Sequence, residues 1–227
     1  SPPTPADDSP EAIQAAQDHL FSNRLREGWF RFPELWSEPI FNKQYPSTAY
    51  ERLPMPDFDP ADFDVIAQPL DFVGLNIYTS DNVRVAADGS LASSIDVETP
   101  RTRFDWPVTP ESLYWGPRHF YDRYQLPIYI TENGISGMDW VTLDGQIPDT
   151  MRIDYTRRYL CQLRRAASDG VDVRGYFHWS LMDNFEWADG YKQRFGLVYV
   201  DFKTQARTLK DSAHWYGDVI RSNGANL

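Results

Sequence analysis

Three apolar, strand-like runs separated by segments of helical periodicity constrain this chain of 227 residues more than any other feature. Leu70-Asp71-Phe72-Val73-Gly74-Leu75-Asn76-Ile77-Tyr78 is nearly continuous in apolar character, as expected of a strand buried on both sides. Leu126 to Thr131 repeats the pattern and ends on Glu132, and Gly175 to about Trp179 repeats it again. The intervening spacing predicts helices. Thr109-Pro110-Glu111 caps one with Leu113, Phe120, Tyr121 and Tyr124 on a single face and a kink at Pro117. The next begins near Asp149, turns Ile153, Leu160, Leu163 and Ala167 inward and stops at Asp169-Gly170. A last helix carries Trp215, Tyr216, Val219 and Ile220 and ends at Asn223-Gly224. This alternation predicts an α/β fold with a parallel sheet.

The remaining segments carry weaker signals. Ser9-Pro10-Glu11 reads as a helix start, followed by Ile13, Ala16 and Leu20 at helical spacing toward Trp29. From Arg31 to about Asp62 the prolines at 33, 39, 46, 54, 56 and 60 predict an irregular but ordered loop, since Trp36, Phe41, Tyr45 and Tyr50 are too apolar for a tether. Val83-Arg84-Val85 and Ser94-Ile95-Asp96-Val97 flank Asp88-Gly89 and predict a small hairpin.

Chemistry concentrates at two strand ends. Glu132 is followed at once by Asn133-Gly134, so a carboxylate stands where a strand turns into a loop, the end at which parallel α/β folds build their sites. Metal ligation, general acid or base work and attack on an anomeric carbon all suit a carboxylate there. Gly175 to Tyr191 begins as a strand and breaks into a loop crowded with Trp179, Asp183, Asn184, Glu186, Trp187 and Asp189. Ring faces beside carboxylates match a pyranose, whose CH-rich face stacks on indole while its hydroxyls need acceptors. An aromatic core would account for Phe177, Phe185 and Tyr199, but poorly for Trp179 and Glu186-Trp187.

Thr131-Glu132-Asn133-Gly134, the Trp179 to Gly190 loop, Arg194-Phe195-Gly196, Asn76-Ile77-Tyr78 and Trp106-Pro107-Val108-Thr109-Pro110-Glu111 together resemble the retaining β-glycosidases of glycoside hydrolase family 1, the β-glucosidase family. The resemblance runs along nearly the whole chain. It implies that Glu132 is the ionised nucleophile and that the Tyr78 hydroxyl donates to it, with Asn76 as a polar support. Trp179 resembles the platform under the glycone, and Glu186 with Trp187 the pair gripping the far-side hydroxyls. Phe195 matches an aromatic of the glycone pocket and Trp106 the platform for the aglycone. An acid at position 186 would repel phosphate, so unphosphorylated β-glycosides are the implied substrates. Asp183 and Asn184 are expected to hold the loop by backbone hydrogen bonds, and Lys192 and Arg194 to balance acids.

Counting exposes a gap. Three buried parallel strands are legible, whereas a closed (β/α)8 TIM barrel needs eight. By resemblance, residues 1–227 are the C-terminal part of a single glycosidase barrel domain, expected to be completed by a separate N-terminal polypeptide carrying the first five strands. The family's acid/base glutamate sits in an Asn-Glu-Pro motif that is absent here; Ser37-Glu38-Pro39 falls in the proline-rich stretch. The missing acid is therefore expected from the partner, and the chain is not expected to fold stably alone. A sugar-binding piece without hydrolysis, or an engineered scaffold piece of the barrel, are the alternatives.

Composition narrows the partners. A net charge of -11 argues against nucleic acid or anionic membrane. The lone Cys161, the absence of a long apolar run and a start at Ser1-Pro2-Pro3 unlike a signal peptide predict a cytoplasmic setting. The four histidines, His19, His119, His178 and His214, are not at metal-ligand spacing, and retaining hydrolysis calls for no metal or other cofactor.

Overall fold

The computed structural model describes residues 1–21, 33–87 and 89–227. β1 (Thr4–Pro5) leads into α1 (Pro10–Phe21), which starts where Ser9 Oγ accepts the Ala12 amide proton at 3.2 Å. Trp29 lies outside the described residues. The stretch expected to be irregular instead forms α2 (Pro33–Asn42), α3 (Ser47–Arg52) and α4 (Asp62–Ile66). Pro46 directly precedes α3, where no helical N–H is needed, whereas Pro39 lies inside α2. Tyr45, Phe58 and Phe63 pack edge-on at 5.2, 5.6 and 5.5 Å between centroids and hold the segment together.

β2 (Val73–Asn76) is followed by the hairpin β3 (Asn82–Val85) and β4 (Leu91–Ser94). The hairpin's second strand therefore begins earlier than the Ser94–Val97 run suggested. At its turn Gly89 takes φ +78°, and Asp88 lies outside the described residues. β1 adds to β3 in parallel, and Ala15 and Ala16 of α1 pack on Val83.

The remaining elements are α5 (Ser112–Tyr124), β5 (Ile128–Asn133), α6 (Thr150–Ser168), β6 (Val173–His178), the hairpin β7 (Val198–Val200) and β8 (Arg207–Leu209), and α7 (Asp211–Arg221). β2, β5 and β6 pair in parallel in that order, joined by crossovers that include α5 and α6. Val73, Leu75, Ile77, Ile128 and Ile130 are buried with Leu113 of α5, Tyr159 and Leu163 of α6 and Val219 of α7. Each fully covered isoleucine contributes roughly 1.5–3 kcal/mol.

Among the described residues the opposite sheet face lacks such cover. Phe72 is 48% and Phe177 59% exposed, and Gly74, Asn76 and Thr131 are exposed too. The expectation of a strand buried on both sides is thus corrected: β2 alternates buried and exposed residues because helices pack on one face only. On the open face Gly175 is required by close approach, since a Cβ there would stand 2.4 Å from the Tyr129 ring.

Helix faces also differ from expectation. In α6 the buried set is Arg152, Tyr155, Thr156, Tyr159, Leu160, Leu163 and Ala166, with Ala167 exposed and Ile153 half-buried. Polar groups with inward partners rotate that face away from the one apolar spacing selects. Ile220 of α7 is 62% exposed. The Thr109 hydroxyl does not cap α5; it accepts the Ser80 amide proton at 2.8 Å.

Candidate active site

The sheet's strand ends bring most of the singled-out side chains together. Glu132 closes β5, and one of its carboxylate oxygens accepts the Tyr78 hydroxyl at 2.9 Å. Burial, then the Glu132 charge and this bond, push the Tyr78 phenol well above its ordinary pKa, so it stays a neutral donor. Asn76 is paired with Glu132 across β2 and β5, and its Oδ1 accepts the Thr131 hydroxyl at 2.7 Å. Trp106 lies 5.1 Å from the Tyr78 ring, and Phe195, 3% exposed, packs 6.4 Å from Tyr78 and 6.3 Å from Trp106.

Trp179 follows β6. Its amide donates to Asn133 O at 2.8 Å, and a Cβ on Gly134 would stand 1.8 Å from the Trp179 carbonyl oxygen, so only glycine lets these strand ends meet. Burial raises the Glu186 carboxyl pKa; a hydrogen bond from Trp179 opposes it, and the charges of Asp189 and Glu132 add to it. Glu132, Tyr78, Trp179 and Glu186 thus share one neighbourhood. Trp187 is 82% exposed and held at φ +40°, a conformation that costs roughly 1–3 kcal/mol in a bulky residue.

A buried ionic network carries the Trp179 loop. Asp183 is paired with Lys210 at 2.9 Å and Arg194 at 2.5 Å, and it accepts the Gly196 amide at 3.0 Å. Lys210 also binds Asp139 at 2.5 Å, and Arg152 joins Asp139 to Asp149. Burial lowers the Lys210 pKa, while its two carboxylates act against that. Arg194 balances an acid as expected, and Asp183 does more than hold backbone. Asn184 donates to Ser180 Oγ at 3.0 Å and Met182 O at 3.1 Å, inside its own loop.

The family model for glycosyl hydrolase family 1 matches residues 2–225. The chain belongs to that family. It is 40% identical over 225 residues to β-glucosidase A of Thermotoga maritima, covering 97% of this chain and 48% of that one. It is 41% identical over 183 residues to a bifunctional β-D-glucosidase/β-D-fucosidase of Bifidobacterium breve, covering 72% and 40%. Among solved structures, the Thermotoga maritima β-glucosidase in complex with glucoimidazole matches with a TM-score of 0.78 and 38% identity, over 97% of this chain and 49% of that one. The chain spans about half the length of the curated relatives it matches. Its fold is an α/β portion matching about half of a family 1 TIM barrel.

Within this family 1 chain, the Asn-Glu-Pro look-alike is a structural element. Glu38 lies on helix α2, not in a loop, and is 3% exposed, bound by Arg123 at 2.6 Å and the Tyr124 hydroxyl at 3.0 Å. The sequence reading did not single out Asp139, Arg152 or Lys210, and it took Asp149 only as a helix start. It also missed Tyr155 and Tyr159, although two tyrosines one helical turn apart on an inward face are a legible sign of hydroxyls seeking buried partners. Among the described residues no helix is long and apolar enough to cross a membrane.

Proposed function

We propose that this chain is the C-terminal part of a retaining β-glycosidase domain acting on unphosphorylated β-glycosides. The observation that carries the reading is Glu132, hydrogen-bonded to Tyr78 at the ends of parallel strands, with Trp179 just past β6 and Glu186 of the following loop beside them. Glu132 attacks the anomeric carbon as the bond to the leaving oxygen breaks, giving a glycosyl ester; water then attacks the same carbon and the ester bond breaks, freeing Glu132. Tyr78 holds one carboxylate oxygen, which orients the other. Trp179 stacks on the glycone, Glu186 and the exposed Trp187 bind its hydroxyls, and Asn76 lends polar support. Phe195 closes the pocket and Trp106 flanks the aglycone. The carboxylate at Glu186 disfavours a phosphorylated glycone.

The carboxyl group that protonates the leaving oxygen, and as carboxylate then takes the proton of the attacking water, comes from an N-terminal polypeptide carrying the first five strands, which also covers the open sheet face. Two observations support such a partner. β2 and β6 are edge strands with apolar Phe72 and Phe177 beside them exposed. The accessible surface of 13323 Å² also exceeds the roughly 10,600 Å² expected of a folded monomer of this mass. The test combines this chain with the N-terminal half of the Thermotoga maritima relative and follows hydrolysis of an aryl β-glucoside. Turnover that requires both pieces and is lost in Glu132→Gln is the expected result; equal rates for Glu132→Gln and the parent would sink the nucleophile assignment.

A further inference from the structure

We infer that Tyr155 and Tyr159 of α6, acting through the Tyr78 carbonyl and Asn133, are positioning residues that set the Tyr78–Glu132 geometry. The inference rests on the reading of that pair as the reacting site. The Tyr78 carbonyl oxygen accepts both hydroxyls, Tyr159 at 2.9 Å and Tyr155 at 3.1 Å, so both its lone pairs are occupied from one helix. The two rings stack at 4.1 Å and 21°, which fixes the spacing of the hydroxyls. Each hydroxyl oxygen also accepts. Tyr159 takes the Thr109 amide proton at 2.9 Å, tying in the segment that carries Trp106, and Tyr155 lies 3.4 Å from Asn133 Nδ2.

Asn133, fully buried beside Glu132, extends the chain of bonds. Its Nδ2 donates to Ile77 O at 2.8 Å and its Oδ1 accepts the Tyr176 hydroxyl of β6 at 2.8 Å. One connected set of bonds therefore spans the ends of β2, β5 and β6. The strands' own pairing is irregular at this level: register shifts fall between Leu75 and Asn76 on β2, and between Ile130 and Asn133 on β5. A regular ladder would fix each strand end against its neighbour; where the ladder slips, side-chain bonds must supply the register. The hydroxyls of α6 stand where that substitution is needed.

Tyr155→Phe, Tyr159→Phe and the double variant keep the rings and remove the hydroxyls. In the complete barrel, this chain supplied with its N-terminal half, the double variant is expected to lower kcat by roughly 10- to 100-fold with KM within about threefold, because misplacement of reacting groups by about 1 Å acts on the transition state. Each single variant should show a smaller loss of the same kind. Unchanged kcat and KM beside a lowered melting temperature would reduce the tyrosines to fold stability and overturn the inference. A crystal structure of the double variant, or of the singles should the double not fold, provides a readout independent of turnover. The Tyr78 hydroxyl should leave hydrogen-bond reach of Glu132, and an undisturbed pair would refute the positioning role. If the parent itself does not turn over, the glycosidase reading fails, while this structural comparison still decides the geometry.

Discussion

Both faces of the β2-β5-β6 sheet carry large apolar side chains, and these have opposite fates. Ile77, Ile128 and Ile130 are at most 1% exposed under α5 and α6, whereas Phe72 and Phe177 on the other face are 48% and 59% exposed. Residue type does not decide this, since phenylalanine gains as much from burial as isoleucine. The difference lies in cover. Helices of this chain cover one face, and among the described residues none covers the other, the face that the proposed N-terminal polypeptide would finish. The candidate site sits at the rim of the unfinished face, while the bonds that hold it come from the finished one.

Several changes would break or sharpen this contrast. Glu132→Gln, at the rim of the open face, is expected to cut turnover of the completed enzyme by at least about 1,000-fold; its melting curve should barely move. Lys210→Met removes one of two cations from each of the buried carboxylates Asp139 and Asp183 and should destabilise by roughly 3–5 kcal/mol in denaturant titration. Ile130→Ala, on the covered face, should lower stability by roughly 2–5 kcal/mol. Phe177→Ser supplies the mirror test. Within this chain it should change stability by no more than about 0.5 kcal/mol, yet weaken association with the N-terminal half by roughly 10-fold or more, the equivalent of one lost side-chain burial. A large intrinsic effect from Phe177→Ser would show that the open face is already packed.

A further effect concerns pH. His119 and the ring nitrogens of His178 are buried, and desolvation, first among the causes, lowers their pKa values from 6.5 to about 4 and about 3. Below pH 6.5 the unfolded imidazoles take up protons that the folded ones refuse, so the unfolded state binds more protons. Stability is therefore full above about 6.5 and is lost as pH falls toward 4 for His119 and 3 for His178. Denaturant midpoints between pH 7 and 4 should fall, and less steeply in His119→Gln than in the parent.

Local pattern carried much of the architecture. The three strands, the helices after each and the β3–β4 hairpin follow from period 2, period 3.6 and turn residues, signals that act within a few positions. The failures share another cause. The proline-rich stretch became largely helical although Pro39 lies inside α2, while Pro46 directly precedes α3, where the missing N–H is harmless. In α6 the inward face was misjudged by one position at Ala166 and Ala167, since Arg152, Tyr155 and Tyr159 reach partners distant in sequence. At the site, the Glu132 position and its aromatic surroundings were legible from the motif residues. The connection of Tyr78 to α6 was not.

Local sequence dictates that strands and helices alternate, that a carboxylate stands at the end of β5, and that the chain carries family 1 motifs. These depend on neighbours along the chain. Packing in three dimensions sets which sheet face is covered, pairs Lys210 with Asp183 and Arg152 with Asp139 inside the molecule, and brings two tyrosine hydroxyls to one carbonyl oxygen. These pairings join residues 13 to 81 positions apart, where burial removes water as a competing partner and leaves each polar group dependent on a single geometry.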